Sequence, residues 1–167
     1  MPVEVRRATK KDIPSALGLI RELAEYERAV DEVEVTEEVL IEDGFGSHPL
    51  FHLLVAEEAE DATILGIAFY YFAYSTWKGK ILYLDDLIVS HEQRRKGIGE
   101  QLMAAMAQEA KKANVRQMRW HVLDWNEPAI RFYEKINTHL DPHWVTCKMG
   151  QKQIDQLANE QFNRSTP

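Results

Sequence analysis

The run Leu82-Tyr83-Leu84-Asp85-Asp86-Leu87-Ile88-Val89 carries two adjacent carboxylates within a stretch of apolar, β-forming residues. It breaks into the basic loop Ser90-His91-Glu92-Gln93-Arg94-Arg95-Lys96 and then into Gly97-Ile98-Gly99-Glu100. Beyond the glycines, Ile98, Leu102, Met103, Met106 and Ala110 fall close to one helical stripe, which predicts a helix over Gly97 to Lys112. A strand, an anion-binding loop and a helix therefore follow one another. The first turn of a helix has unpaired N–H groups and a partial positive charge, and glycine lets a phosphate approach without a Cβ in the way. Arg94, Arg95 and Lys96 add full charges, so a pyrophosphate suits Arg94 to Glu100.

Two familiar phosphate loops do not match. The dinucleotide fingerprint needs a glycine directly after the strand and another where Leu102 stands, and the nucleotide-hydrolase loop needs a Gly-Lys-Ser/Thr ending.

The rest of the chain surrounds this unit. Val3 to Arg7 alternates as a strand. Thr9 and Asp12 have capping-box spacing ahead of Ile13, Leu17, Ile20 and Leu23, predicting a helix from about Lys10 to Glu27 with Pro14 in its first turn. A shorter helix begins at Thr36 and ends at Gly44-Phe45-Gly46. Leu50 to Ala56 and Thr63 to Tyr74 read as an antiparallel pair about an acidic turn, and Ser75 to Lys80 turns into the central strand. Val115 to Leu123 is a further strand, Asn126 caps a helix that stops near Asn137, His143 to Met149 is a last strand, and Gln151 to Phe162 is a short polar helix before a loose tail. This order predicts an α/β fold in one domain, a mixed sheet flanked by helices rather than a doubly wound parallel one. The 167 residues suit one core.

The longest apolar run, Ile64 to Tyr74, is shorter than the roughly 20 residues that cross a bilayer. Met1-Pro2-Val3-Glu4 lacks a signal-peptide pattern, so a cytoplasmic protein without membrane association is expected. The net charge of −7 disfavours nucleic acid and favours a cationic small molecule. One cysteine, Cys147, excludes an internal disulfide and reads as a buried strand residue. His139 and His143 have helical metal-ligand spacing, but Pro142 intervenes and no third ligand is evident, so no metal is expected.

Arg94-x-x-Gly97-x-Gly99 after Leu82 to Val89, with Trp125-Asn126-Glu127-Pro128 and Phe132-Tyr133 downstream, resembles the GNAT acyl-CoA-dependent N-acetyltransferases. Leu23-Ala24-Glu25-Tyr26-Glu27, Glu42-Asp43-Gly44-Phe45-Gly46, Tyr70 to Tyr74, Trp77-Lys78-Gly79-Lys80 and Leu82 to Asp86 resemble the diamine (spermidine/spermine) acetyltransferase branch. The resemblance covers about Val3 to Met149. It implies the GNAT fold, acetyl-CoA as cosubstrate, a small-molecule amine and a homodimer. Leu87, Ile88 and Val89 would present backbone groups to the acetyl and pantetheine portion, and Arg94, Arg95, Lys96, Gly97, Ile98, Gly99 and Glu100 would hold the pyrophosphate. Asn126, Glu127, Pro128 and Ala129 would lie on the pantetheine side, with Tyr133 near the thioester sulfur.

An amine must lose a proton before it attacks a thioester, and a carboxylate with its pKa raised by burial can take it. Strand alternation puts Asp85 and Asp86 on opposite faces, so only one is expected at the site. The resemblance selects Asp85, where the branch usually has glutamate; the shorter side chain points to a water relay. Tyr26 and Glu27 match the substrate side. Polyamine enzymes carry an acidic residue where this chain has Ser75, whereas Ser75-Thr76-Trp77-Lys78-Gly79 resembles the sister enzymes acting on thialysine, making Ser75 and Trp77 specificity residues. A spermidine/spermine acetyltransferase proper, a protein N-acetyltransferase and a non-catalytic CoA-binding module are the alternatives; the first conflicts with Ser75, the second with the diamine-branch motifs, and the third need not keep Tyr133 or Asp85.

Overall fold

The computed structural model describes residues 2–159. The chain divides into two compact units, residues 1–121 and 122–167.

The first unit is built on a five-stranded sheet whose spatial order follows the sequence, β1 (Val3–Arg7), β2 (His52–Glu58), β3 (Ile64–Ser75), β4 (Gly79–Val89) and β5 (Met118–Arg119). The first four are antiparallel neighbours and β5 joins β4 in parallel, the mixed, mostly antiparallel sheet that the sequence predicts. One face is covered by α1 (Ile13–Tyr26) and α2 (Glu37–Phe45): Ile13, Ala16, Leu17, Leu19 and Leu40 form one core with Leu53, Val55, Ile67 and Ile88. The other face is covered by α3 (Ile98–Lys112), whose buried stripe is Ile98, Leu102, Met103, Met106 and Ala110, as the periodicity predicts. Gly66 on β3 permits this contact. A Cβ there would stand 2.7 Å from the Ile88 carbonyl oxygen and 3.2 Å from Leu102 Cδ1.

The capping box at Thr9 is present and extended. Asp12 accepts from the Thr9 N–H at 2.7 Å and binds Arg6 with both carboxylate oxygens, at 2.9 and 3.0 Å. Arg6 also reaches Glu57 on β2, which ties the entry of α1 to the sheet. The first turn of the predicted helix is a 3₁₀ turn, Lys10–Asp12, and α1 proper begins at Ile13. Thr36 caps α2 by accepting from the Val39 N–H.

The strand predicted over Val115 to Leu123 is reduced to Met118–Arg119, paired only as Leu82↔Met118 and Tyr83↔Arg119. One residue beyond Leu84 the β4 strand bulges at Asp85, and a bulge turns a strand away from its neighbour.

In the second unit, α4 (Glu127–Lys135) is capped as predicted, with Asn126 Oδ1 accepting from the Ala129 N–H at 3.4 Å. The expected last strand is absent. Residues 143–149 have no regular structure and are exposed, because a strand needs a neighbour to satisfy its backbone and no described strand pairs with them. Cys147 is accordingly exposed rather than a buried strand residue. α5 (Gln151–Asn159) is present, and its predicted continuation to Phe162 lies outside the described residues. Among the described residues no helix is long and apolar enough to cross a membrane.

Candidate active site

The register between β3 and β4 sets the geometry of the carboxylate pair. Phe69 faces Asp86 and Tyr70 faces Leu84, so Asp85 is an extra residue without a partner, a single-residue bulge. Alternation is therefore interrupted between the two acids. Tyr83 shares a face with its partner Tyr71, Asp85 follows Tyr83 by two residues, and Asp86 shares a face with its partner Phe69. Tyr71 and Phe69 both pack toward the α1 side of the sheet. Asp85 and Asp86 thus lie on one face, which corrects the expectation of opposite faces: alternation counts residues, and the bulge adds one.

Glu27, at the C-terminal end of α1, completes the group. Its placement is costly, since a carboxylate there meets the negative end of the helix dipole and loses solvent. Burial raises the Glu27 carboxyl above its usual range. Burial, then Asp85, then Glu27 push Asp86 up to about 7. Asp85 keeps over a third of its surface open, yet the protein crowding its carboxyl raises it too, an effect that nearby His121 opposes. Two half-buried tyrosines line the same face, Tyr71 and Tyr83, stacked with centroids 5.2 Å apart. Three carboxylates among aromatic rings, each held toward its protonated form, make a site that gains from receiving a cation.

The loop between β4 and α3 is fastened at several points. Arg94 Nε donates to the Val89 carbonyl at 3.3 Å, its guanidinium lies 5.1 Å from the Tyr26 ring centroid, and the His91 N–H donates to Glu22 on α1 at 2.6 Å. Lys96 Nζ donates to Gln93 Oε1 at 2.8 Å. Arg95 and Gly97 have φ of 62° and 81°, and alternating left-handed residues turn successive N–H groups into one concavity. Gly97 is the N-cap of α3, with no side chain capping the helix, and the positive end of the helix dipole there favours an anion. A Cβ on Gly97 would meet nothing within 4 Å; its glycine is required by backbone conformation rather than by space. Arg95, Lys96 and Glu100 are exposed, while the Ile98 side chain is buried in the core and only its backbone faces the loop. This cradle fits a pyrophosphate.

Beside it, Leu87 and Val89 are half-buried and Ile88 belongs to the core, so these residues offer chiefly backbone groups. Ser75 and Trp77 lie elsewhere, at the β3–β4 hairpin tip. Ser75 Oγ accepts from the N–H groups of Trp77 and Lys78, both at 3.2 Å, and Trp77 is 82% exposed. Along β4, the six steps from Gly79 to Asp85 span about 20 Å. Within one chain the tip does not join the carboxylates. In the second unit, Tyr133 is buried on α4, its ring 5.3 Å from Phe132. Glu127, Pro128 and Ala129 form the first turn behind Asn126.

Sequence reasoning missed Asp86, Tyr71, Tyr83 and His121 as neighbours of Asp85. Tyr71 and Tyr83 could have been found by their cross-strand positions once the strands were paired; the bulge leaves no mark in the residue pattern.

The model of the Acetyltransferase (GNAT) family matches residues 17–137. The thialysine N-epsilon-acetyltransferase of Bos taurus is 43% identical over 140 residues, covering 80% of this chain and 82% of that protein. The thialysine N-epsilon-acetyltransferase of Mus musculus is 40% identical over 163 residues, covering 92% and 96%. Among solved structures, an integron cassette protein from the mobile metagenome of V. cholerae superposes with a TM-score of 0.77 at 27% identity, covering 96% of this chain and 99% of that one. With its strand, glycine loop and helix in the family's order, this chain belongs to the GNAT family of acetyltransferases.

Proposed function

We propose that the chain transfers acetyl from acetyl-CoA to the side-chain amine of a small lysine-like amino acid such as thialysine, acting in the cytoplasm as one acetyltransferase domain per chain and as a homodimer. The observation that carries the reading is the grouping of Glu27, Asp85 and Asp86 on one face of the sheet, with all three carboxyls raised. An incoming ammonium relieves their repulsion. The thialysine relatives support the choice of amine, as does Ser75 in place of an acid that would hold a second amine.

In this reading Arg94 to Glu100 hold the pyrophosphate, and Asn126, Glu127, Pro128 and Ala129 meet the pantetheine arm. Tyr26 and Glu27 orient the amine. An alkylammonium has a pKa of about 10, so it must give up a proton to react. Two adjacent carboxyls do not both ionise freely, and Asp86, the more strongly raised, keeps the shared proton while Asp85 acts as base through water. The amine nitrogen then bonds to the thioester carbon, N–H groups along Leu87 to Val89 meet the oxyanion, and the C–S bond breaks as Tyr133 protonates the departing thiolate. The exposed hairpin tip supports the homodimer: Ser75, Trp77 and Tyr74, the last 80% exposed, are too far from Asp85 in their own chain to touch its amine, and a second copy supplies them.

The test is CoA-thiol release with acetyl-CoA across thialysine, lysine, spermidine, putrescine and a lysine peptide. Highest kcat/KM on thialysine supports the reading; preference for spermidine overturns the Ser75 argument, and no release with any amine returns the chain to a CoA-binding role.

A further inference from the structure

A lysine-like amino acid brings a carboxylate as well as an amine, and a group of three acids cannot receive both ends. Glu27, Asp85 and Asp86 attract the ammonium and repel the carboxylate. The head group calls for a cation on the same face, set a short distance from the acids. Arg119 on β5 stands there. It pairs in parallel with Tyr83, and paired residues share a face, so it lies on the side of the sheet that carries Tyr71, Tyr83 and Asp85. Burial, with Tyr71, Asp85 and Asp86, raises the Tyr83 hydroxyl, and Arg119 opposes that rise, so charges of both signs surround this one ring. Arg119 is exposed, and among the described residues it forms no ion pair with a carboxylate. Its Nη2 donates to the neutral Gln117 Oε1 at 2.8 Å. A guanidinium carries five N–H donors in a planar fork, more than one amide oxygen occupies, and the fork matches both oxygens of a carboxylate.

Distances along the sheet separate this cation from the cofactor loop. The six steps of β4 from Tyr83 to Val89 span about 20 Å, which leaves the pyrophosphate to Arg94 to Glu100. Asp85 is only two steps from Tyr83. One inter-strand spacing of about 4.8 Å and two rises of about 3.3 Å put the Arg119 and Asp85 Cα atoms about 8 Å apart. Thialysine has six bonds between its side-chain nitrogen and its carboxylate carbon, which at about 1.5 Å or more each in a zigzag reach roughly 8 Å. We propose that Arg119 binds the α-carboxylate of the amino-acid substrate while its side-chain ammonium enters the Glu27–Asp85–Asp86 group, an inference that rests on the acetyl-transfer reading. Arg119 then selects an amino acid over a diamine of the same length.

The test is steady-state acetylation of thialysine and of bis(2-aminoethyl) sulfide, the diamine that lacks only the carboxylate, by wild type, Arg119→Gln, Arg119→Lys and Lys111→Gln. Lys111 is exposed at the end of α3 on the opposite face, so its variant controls for net charge. Loss of a charge-assisted bidentate contact predicts that Arg119→Gln lowers kcat/KM for thialysine about 10- to 100-fold, mainly through KM, and leaves the diamine unchanged. Arg119→Lys keeps the charge without the fork and falls between Arg119→Gln and wild type, and Lys111→Gln matches wild type on both amines. Full thialysine activity in Arg119→Gln, an equal loss on both amines, or the same loss in Lys111→Gln overturns the assignment while leaving acetyl transfer standing. A wild-type chain inactive on both amines and on the others named above overturns the acetyl-transfer reading and the assignment together.

Discussion

Replacing Asp86 by asparagine should make the protein more stable at alkaline pH. Burial, Asp85 and Glu27 together move this carboxyl from 3.8 to about 7. The folded value lies above the unfolded one, so the fold binds the proton more tightly than the unfolded chain does. The destabilisation is therefore absent below about pH 4, grows as pH rises, and is complete above about pH 7. A rise of about three pKa units corresponds to about 4 kcal/mol. The side chain is only half-buried, and solvent screening brings the expectation to about 2 kcal/mol. Urea unfolding at pH 4, 6 and 8 measures it. Asp86→Asn should match wild type at pH 4 and exceed it by about 2 kcal/mol at pH 8, with KM for the amine raised. A variant less stable than wild type at pH 8, or a difference that does not change with pH, refutes the argument that the carboxylates are crowded on one face.

Asp12 behaves in the opposite sense. Arg6 holds its carboxyl down to about 2, so its contribution is full above about pH 4 and is lost as pH falls toward 2, and Asp12→Ala should cost about 3 kcal/mol at pH 7 by urea unfolding. Gly97→Ala forces a side chain into φ of 81° at a cost of about 1 kcal/mol and should raise KM for acetyl-CoA more than it lowers kcat. Asp85→Ala and Tyr133→Phe should each lower kcat while calorimetric acetyl-CoA affinity stays near wild type; wild-type rates in both variants remove those assignments. Ser75→Asp retains an acceptor for the Trp77 and Lys78 N–H groups, so the hairpin should survive while kcat/KM shifts toward spermidine.

Much of the fold can be read from local pattern. The stripe of α3, the Thr9–Asp12 box and the Asn126 cap are each fixed by residues within a few positions of one another, and all three form as predicted. The failures share a different cause. Residues 143–149 alternate well enough for a strand, but a strand also needs a neighbour, and pairing is not encoded in the segment itself. The same holds at Asp85, where the chemistry depends on a one-residue mismatch between β3 and β4 that neither strand shows alone. The glycine loop was legible because helix N-terminus, glycine and arginine are consecutive; the Asp86–Glu27 relation was not, because it joins β4 to the end of α1.

The most direct measurement is to incubate the wild-type protein with thialysine and acetyl-CoA and locate the acetyl group on the product by tandem mass spectrometry. The account predicts acetyl on the side-chain nitrogen and little product from Asp85→Ala. Acetyl on the α-nitrogen, or equal product from wild type and Asp85→Ala, contradicts it.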